Sequence, residues 1–345
     1  MTAPTEADFF DTVEPIDEVR STAWETADPE VSVIIATHNR ADLLDGLFGA
    51  LAAQADAPSF EVLVVDDGST DHTWATLTQL VAATDLAATA LLVRGCGGPS
   101  LPRNTAVARS RGRLLAITDD DCLPDPHWLA ELSRAAGGGE VVQGSTYPTG
   151  SGQRSPWDRT IEITSLSGLW ESCNLALPRA LFDAVGGFPV LDLLRRAGRG
   201  FGEDTVLGAA AARLAGGRFA PAAVVRHRWV PGDFLGYLET NRRLAGMPAL
   251  LREVPELRSR CYLGWFRNRR SAECDLAVAA LVLAVCRRRP SYAVAALPWL
   301  RTLSAAAAGR WGRPRGVRIA QEATADLVAL SALAKGSAAA GTLLL

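Results

Sequence analysis

The sequence predicts an α/β fold: a Rossmann-like, mostly parallel sheet flanked by helices and continued by a C-terminal helical extension. Three observations predict it. Short apolar runs rich in β-branched residues, VSVIIA (31–36), EVLVVDD (61–67) and RLLAIT (113–118), alternate with apolar-periodic helical stretches. Each run ends in a polar cluster, THNR, DDGSTD or TDDD. Beyond about residue 235 the pattern turns helical and the charge changes sign, with sixteen arginines against four acids over 241–318. Alternating strands and helices imply right-handed crossovers, and in such sheets ligands sit past the carboxyl ends of the strands. The polar clusters should therefore converge on one crevice.

The elements follow in order. Residues 1–30 hold nine acids and one arginine and read as an acidic N-terminal arm, loosely ordered or draped on the domain. Strand 31–36 leads through THNR into a helix over 41–53, and strand 61–67 leads through GSTD into a helix over about 73–83. A third strand fits 88–93; the glycine-rich loop GCGGPS (95–100) then opens a helix running to about Ser110, before strand 113–118. From Trp128 to Val230 the reading is mixed, with glycines at 137–139, 186–187 and 200–202. This divides the chain into a body over 31–235, with halves 31–125 and 126–235, and an arginine- and alanine-rich helical region over 236–345. There, LAVAALVLAVC (276–286) and SYAVAALPWL (291–300) each fall short of the ~20 residues needed to cross a bilayer. With the arginines, Trp299 and Trp311, segment 276–318 fits either a peripheral membrane contact or an alanine-rich helical subdomain.

Composition narrows the function. The chain has 345 residues, 48% hydrophobic and 21% charged, with a net charge of -3, which excludes a mini-protein, a mainly disordered chain and a typical nucleic-acid binder. Six scattered cysteines without a CxxC pair suggest neither a zinc site nor a disulfide framework. With no basic, apolar leader at the N-terminus, the expected location is cytoplasmic, or peripheral on the cytoplasmic face of a membrane.

Asp119, Asp120 and Asp121 stand together at a strand end, where adjacent carboxylates repel unless a cation joins them. Mg²⁺ or Mn²⁺ bound this way completes its shell with water and phosphate oxygens, which suggests a diphosphate ligand. Asp66 and Asp67 precede the tight Gly68–Ser69 turn, and one of these carboxylates suits the imide N–H of a pyrimidine. No GxGxxG follows the first strand and no GxxxxGK[ST] occurs, so neither a dehydrogenase nor an NTPase is supported.

The motifs VSVIIATHNR, EVLVVDDGSTD, GGPSLPRNTAVARSRGRLLAITDDD, CNLALPRALFDAVGGFP, GFGEDTVLG and HRW, in this order, resemble the family 2 glycosyltransferases and their A-type fold over roughly 31–230. The resemblance implies a nucleotide-sugar donor, UDP- or dTDP-linked, and a hydroxyl acceptor that is a glycan, a lipid-linked glycan or a metabolite. It puts Ala36, Thr37, His38, Asn39 and Arg40 along the nucleotide, with Asp67 beside Asp66 at the base. Gly98, Arg103 and Asn104 fall on the donor side. Asp119 and Asp120 match the family's Asp-x-Asp motif toward ribose and metal, with Asp121 as the main ligand of Mn²⁺ or Mg²⁺ and His227 able to join it. Glu203 and Asp204 match the family's Glu-Asp motif, in which the aspartate deprotonates the acceptor; Trp170, Asn174 and Gly187 fall on the acceptor side. The Gln-x-x-Arg-Trp motif of processive members such as cellulose and hyaluronan synthases is absent, so one sugar per encounter is expected. The rival readings are transfer to a polyprenyl phosphate and a catalytically silent sugar-nucleotide-binding scaffold.

Overall fold

The computed structural model describes residues 10–95, 97–150, 155–190, 201–308 and 314–345. The chain divides into two compact units, one comprising 1–152, 160–191 and 202–229, the other 153–159, 192–201 and 230–345.

The first unit is built on a nine-stranded sheet. Its strands are β1 (Asp17–Arg20), β2 (Val31–Thr37), β3 (Phe60–Asp66), β4 (Ala87–Leu92), β5 (Leu114–Thr118), β6 (Cys122–Pro124), β7 (Val141–Pro148), β8 (Asn174–Pro178) and β9 (Gly217–His227), in the order β1-β4-β3-β2-β5-β8-β7-β9-β6. The block β4-β3-β2-β5 is parallel throughout, as the strand–helix alternation predicts. Beyond β5 the sheet turns mixed: β8 runs antiparallel to β5 and β7, β9 runs parallel to β7, and β6 runs antiparallel to β9. The helices are α1 (Ala41–Ala52), α2 (Thr73–Ala83), α3 (Ser100–Arg109), α4 (Trp128–Ala135), α5 (Arg179–Ala184) and α6 (Glu203–Ala215).

The central strands read as continuous apolar runs because both faces are covered. Val33, Ile34 and Ile35 of β2 and Val62, Leu63, Val64 and Val65 of β3 are all fully buried. Each such side chain contributes ~1.5–3 kcal/mol of transfer free energy, which holds the parallel block rigid beneath the loops at its carboxyl ends. One expectation is corrected here. The acidic segment 1–30 is not merely a loose arm, since β1 pairs antiparallel with β4 and closes that sheet edge. Val19 alternates inward there against the core, a pattern too short to register in the sequence.

The second unit is helical, with α7 (Phe234–Arg242), α8 (Met247–Glu253), α9 (Arg269–Cys286), α10 (Leu297–Ala306) and α11 (Arg315–Ala340), joined partly by 3-10 turns at Arg243–Gly246, Pro255–Arg260 and Pro290–Ala296. Asn268 caps α9, accepting from Ser271 N–H while the Ser271 hydroxyl accepts from Asn268 N–H. Its small core gathers Cys274, Ala277, Ala296, Trp299 and Leu303. Arg270 binds Glu322 and Asp326, and Trp299 Nε1 donates to Asp326 at 2.7 Å, tying α9 and α10 to α11. No helix among the described residues is long and apolar enough to cross a membrane.

Candidate active site

The register of the parallel block sets Thr37 beside Asp66, and β5 ends alongside β2, so the polar clusters emerge from one end of the sheet. The loop after β2 is laced to the loop after β3. His38 Nδ1 donates to the Asp67 carbonyl at 2.8 Å, Asn39 N–H to Ser69 Oγ at 2.8 Å, Thr70 N–H to Asn39 Oδ1 at 2.8 Å and Arg40 N–H to Thr73 Oγ1 at 2.7 Å. Asn39 adopts φ 55°, a left-handed conformation that asparagine tolerates better than most residues. Asp66 is buried; one of its oxygens accepts from Ser69 N–H, the other has no hydrogen-bond partner, and burial pushes its carboxyl upward. Half-buried Asp67 follows it, with Ala36 and Thr37 across the strand pair.

Thr37 Oγ1 donates to Asp120 at 2.7 Å and so joins the first loop to the aspartate triplet. Burial raises the Asp120 carboxyl to about 7, against the Thr37 hydrogen bond that lowers it. Arg40 Nε approaches Asp120 at 3.8 Å. The three aspartates separate in function from here. Asp119 accepts from Arg103 Nη2 at 2.6 Å, whereas Asp121 turns to His227, whose Nε2 lies 3.4 Å from its Oδ1. His227 arrives on the end of β9 because β6, directly after the triplet, pairs antiparallel with it and matches Cys122 to His227.

The donor set of Asp121 and His227 fits a divalent cation. His227 Nδ1 donates to the Arg228 carbonyl at 2.8 Å, so in the neutral ring the Nε2 lone pair faces Asp121, the outer-shell arrangement that orients a histidine ligand. Ligand atoms of Asp121, Cys122 and His227 lie within 4.8 Å of one another. Cys122 is a member that the sequence reading missed; its adjacency to the triplet was the only available signal. Asp119, expected on the metal as well as the donor, is absent from this group because Arg103 holds it.

Arg103 also connects the triplet to the Glu-Asp motif. Its guanidinium is buried, stacks 5.3 Å above the Phe188 ring and reaches Glu203 with Nη1 at 3.6 Å. Glu203 and Asp204 open α6 after Gly202, whose φ of 74° lets the chain turn sharply into the helix. Asp204 accepts from Ser172 N–H at 3.0 Å and from Thr205 N–H at 2.8 Å. Burial raises Glu203 to about 7, with the neighbouring Asp204 charge adding to the rise, and burial likewise raises Asp204. One buried cation thus stands among Asp119, Glu203 and Asp204, a group of carboxylates that favours proton uptake.

Four expected positions are held by contacts inside the fold. Asn104 is fully buried and brackets Phe188, accepting from its N–H and donating to its carbonyl, while also donating to Asp11 O. Asn174, expected on the acceptor side, is fully buried between β8, β7, β9 and α4, with Oδ1 accepting from Trp128 Nε1 and Nδ2 donating to Ser145 O and Ala223 O. Gly144 faces it, and a Cβ there would collide with the Asn174 amide. Trp170 is buried with its indole over Gly208 and Gly217, and Gly187, at φ 69°, packs on Phe10 and Asn104. Gly98 is half-buried just ahead of α3. Cys96, Gly200, Trp311 and residues 1–9 lie outside the described residues; the five described cysteines are free thiols.

The first unit is an open α/β sheet with acidic loops at the carboxyl ends of its parallel strands, the place where such sheets bind ligands. Residues 32–192 match the family model Glycosyl transferase family 2. Glycosyltransferase AglE of Haloferax volcanii is 33% identical over 172 residues, covering 47% of this chain and 56% of that protein. Validoxylamine A glucosyltransferase of Streptomyces hygroscopicus subsp. limoneus is 36% identical over 205 residues, 46% of this chain and 44% of that protein. The chain thus spans about half the length of the curated relatives it matches. Among solved structures, the mannosyltransferase PcManGT of Pyrobaculum calidifontis, in complex with GDP-Man and Mn²⁺, shares the fold at a TM-score of 0.54 and 20% identity, over 90% of this chain and 88% of that one.

Proposed function

We propose that the chain is an inverting, divalent-metal-dependent glycosyltransferase that moves a single sugar from a UDP- or dTDP-sugar to a hydroxyl acceptor. The observation that carries this is Arg103, which joins the triplet carboxylate Asp119 to the Glu203–Asp204 pair and so makes a donor side and a base side one electrostatic unit. The named activities of the relatives, and the GDP-Man and Mn²⁺ held by the neighbour of like fold, support the same class.

In this reading Asp66 and Asp67 receive the base, with the 36–40 loop along the nucleotide. Asp121 and His227 would hold Mn²⁺ or Mg²⁺, which when bound would supply positive charge for the departing diphosphate. Arg103 adds a fixed cation beside it. The acceptor oxygen attacks the anomeric carbon from the face opposite the diphosphate. As the new C–O bond forms, the bond to the phosphate oxygen breaks and its electron pair leaves with the nucleoside diphosphate. The acceptor proton passes to the Asp204 carboxylate, whose raised proton affinity suits a base. The two N–H groups on Asp204 orient it for that transfer.

Calorimetric titration with UDP, dTDP and GDP, with and without Mn²⁺, beside Asp121→Asn, tests the donor side. Metal-dependent binding of UDP or dTDP that the substitution abolishes is expected. Folded protein that binds none of the three would overturn the proposal.

A further inference from the structure

The helical unit carries a surface whose polarity is reversed relative to an ordinary amphipathic helix. Helix α9 turns Cys274, Ala277 and Ala280 inward and leaves larger apolar side chains outside: Leu281 is 44% exposed, Val282 55%, Leu283 44% and Val285 78%. The Pro290–Ala296 turn packs along α9 and adds Val294 at 63%, and α10 adds Leu297 at 53%. Burial within the unit gains little from these side chains, so folding alone does not account for them. At 3.6 residues per turn Leu281, Val282 and Val285 share one side of α9 while Leu283 points away from Leu281, and exposed apolar surface on one side of a helix is a docking feature.

Charge identifies what covers it. Residues 276–318 contain eight arginines and no acidic residue, and Arg287, Arg288 and Arg289, directly after α9, and Arg301 of α10 stand exposed. A second copy of the chain docking by the same face would bring only more arginines and no counter-charge. An anionic bilayer offers both components, an apolar layer for the leucines and valines and phosphates for the guanidinium groups, whose stems lie along the apolar surface while their heads reach water. Because α9 does not meet the length and apolarity of a membrane-crossing helix, the contact is interfacial.

We propose that the α9–α10 face of the helical unit docks the protein onto an anionic phospholipid surface, with Leu281, Val282 and Val285 entering the headgroup–acyl boundary and Arg287, Arg288 and Arg289 holding lipid phosphates. The docking is independent of the transfer reading, since vesicle binding is measured without turnover.

The test is flotation of the full chain with vesicles of phosphatidylcholine alone and of phosphatidylcholine mixed with phosphatidylglycerol, across a salt series. Partition onto the mixed vesicles, weakening as salt rises, is expected, with little on phosphatidylcholine alone. Replacing Arg287, Arg288 and Arg289 together by Gln should weaken binding about a hundredfold, at roughly fivefold per arginine. Val282→Asp and Val285→Asp should release the protein while leaving its circular dichroism melt unchanged, because both side chains are exposed. The proposal is overturned by an absence of partition onto the mixed vesicles, by binding that the two valine variants leave intact, or by a concentration-dependent dimer that Val285→Asp dissociates in light scattering. A large loss of melting temperature in the valine variants would equally overturn it, since the face would then be core.

Discussion

Replacing Asn174 by Ala separates a brace from a binding residue. The side chain is fully buried and makes three hydrogen bonds: it accepts from Trp128 Nε1 at 2.8 Å and donates to Ser145 O at 2.7 Å and Ala223 O at 2.9 Å. All three partners belong to fully buried residues, where no water stands ready to replace the lost group. Orphaning a buried donor or acceptor costs about 1–3 kcal/mol, so three of them cost ~3 kcal/mol at the lower limit. In a unit of this size each kcal/mol lowers the melting temperature by roughly 2–4 °C, which gives a fall of about 6–12 °C. Asn174→Asp should fare no better, since it keeps the acceptor for Trp128 but sets a carboxylate against two carbonyls. The assay is a thermal melt followed by circular dichroism, paired with acceptor kinetics on the surviving folded protein. A melting temperature within about 2 °C of the parent, together with a raised acceptor KM, would refute the reasoning and return Asn174 to the acceptor side.

Three further outcomes follow from the carboxylates. Asp204→Asn should cut turnover by about 10²–10⁴-fold if a hydroxyl acceptor must be deprotonated; survival of most activity would point to a phosphate acceptor, which needs no strong base. In the parent, kcat/KM should fall on the acid side with an apparent pKa above the ordinary carboxylate range, because burial raises Asp204; a limb at an ordinary aspartate value would contradict that. In the helical unit, both Asp275 oxygens are buried without a hydrogen-bond partner, and burial lifts the carboxyl to about 6. The folded chain therefore holds a proton that the unfolded chain has released between the ordinary aspartate value and about 6, so stability declines as pH rises through that window. Asp275→Asn should flatten this decline, raising the melting temperature relative to the parent at pH above the window and not below it; parallel melting curves at every pH would sink the assignment.

Much of this protein is determined by sequence alone. The apolar runs at 31–36, 61–67 and 113–118 become β2, β3 and β5 because a parallel strand covered on both faces must be apolar at every position, and that signal is local. The helices after them and the convergence of THNR, DDGSTD and TDDD were legible from the same alternation, whereas the expectation that His227 stands by Asp121 came only from the resemblance in motif order. Only the tertiary structure decided how the polar residues between strands are spent. Asn104, Asn174 and Trp170 carry chemistry compatible with a binding pocket, yet burial and close neighbours from distant segments, Phe188, Ala223 and Gly217 among them, turn them into braces. The same long-range packing brought Arg103 between Asp119 and Glu203, added Cys122 beside Asp121 and His227, and paired β1 with β4. A hydrogen bond across scores of residues leaves no periodicity in the chain, so its presence depends on which surfaces the core brings within about 3 Å.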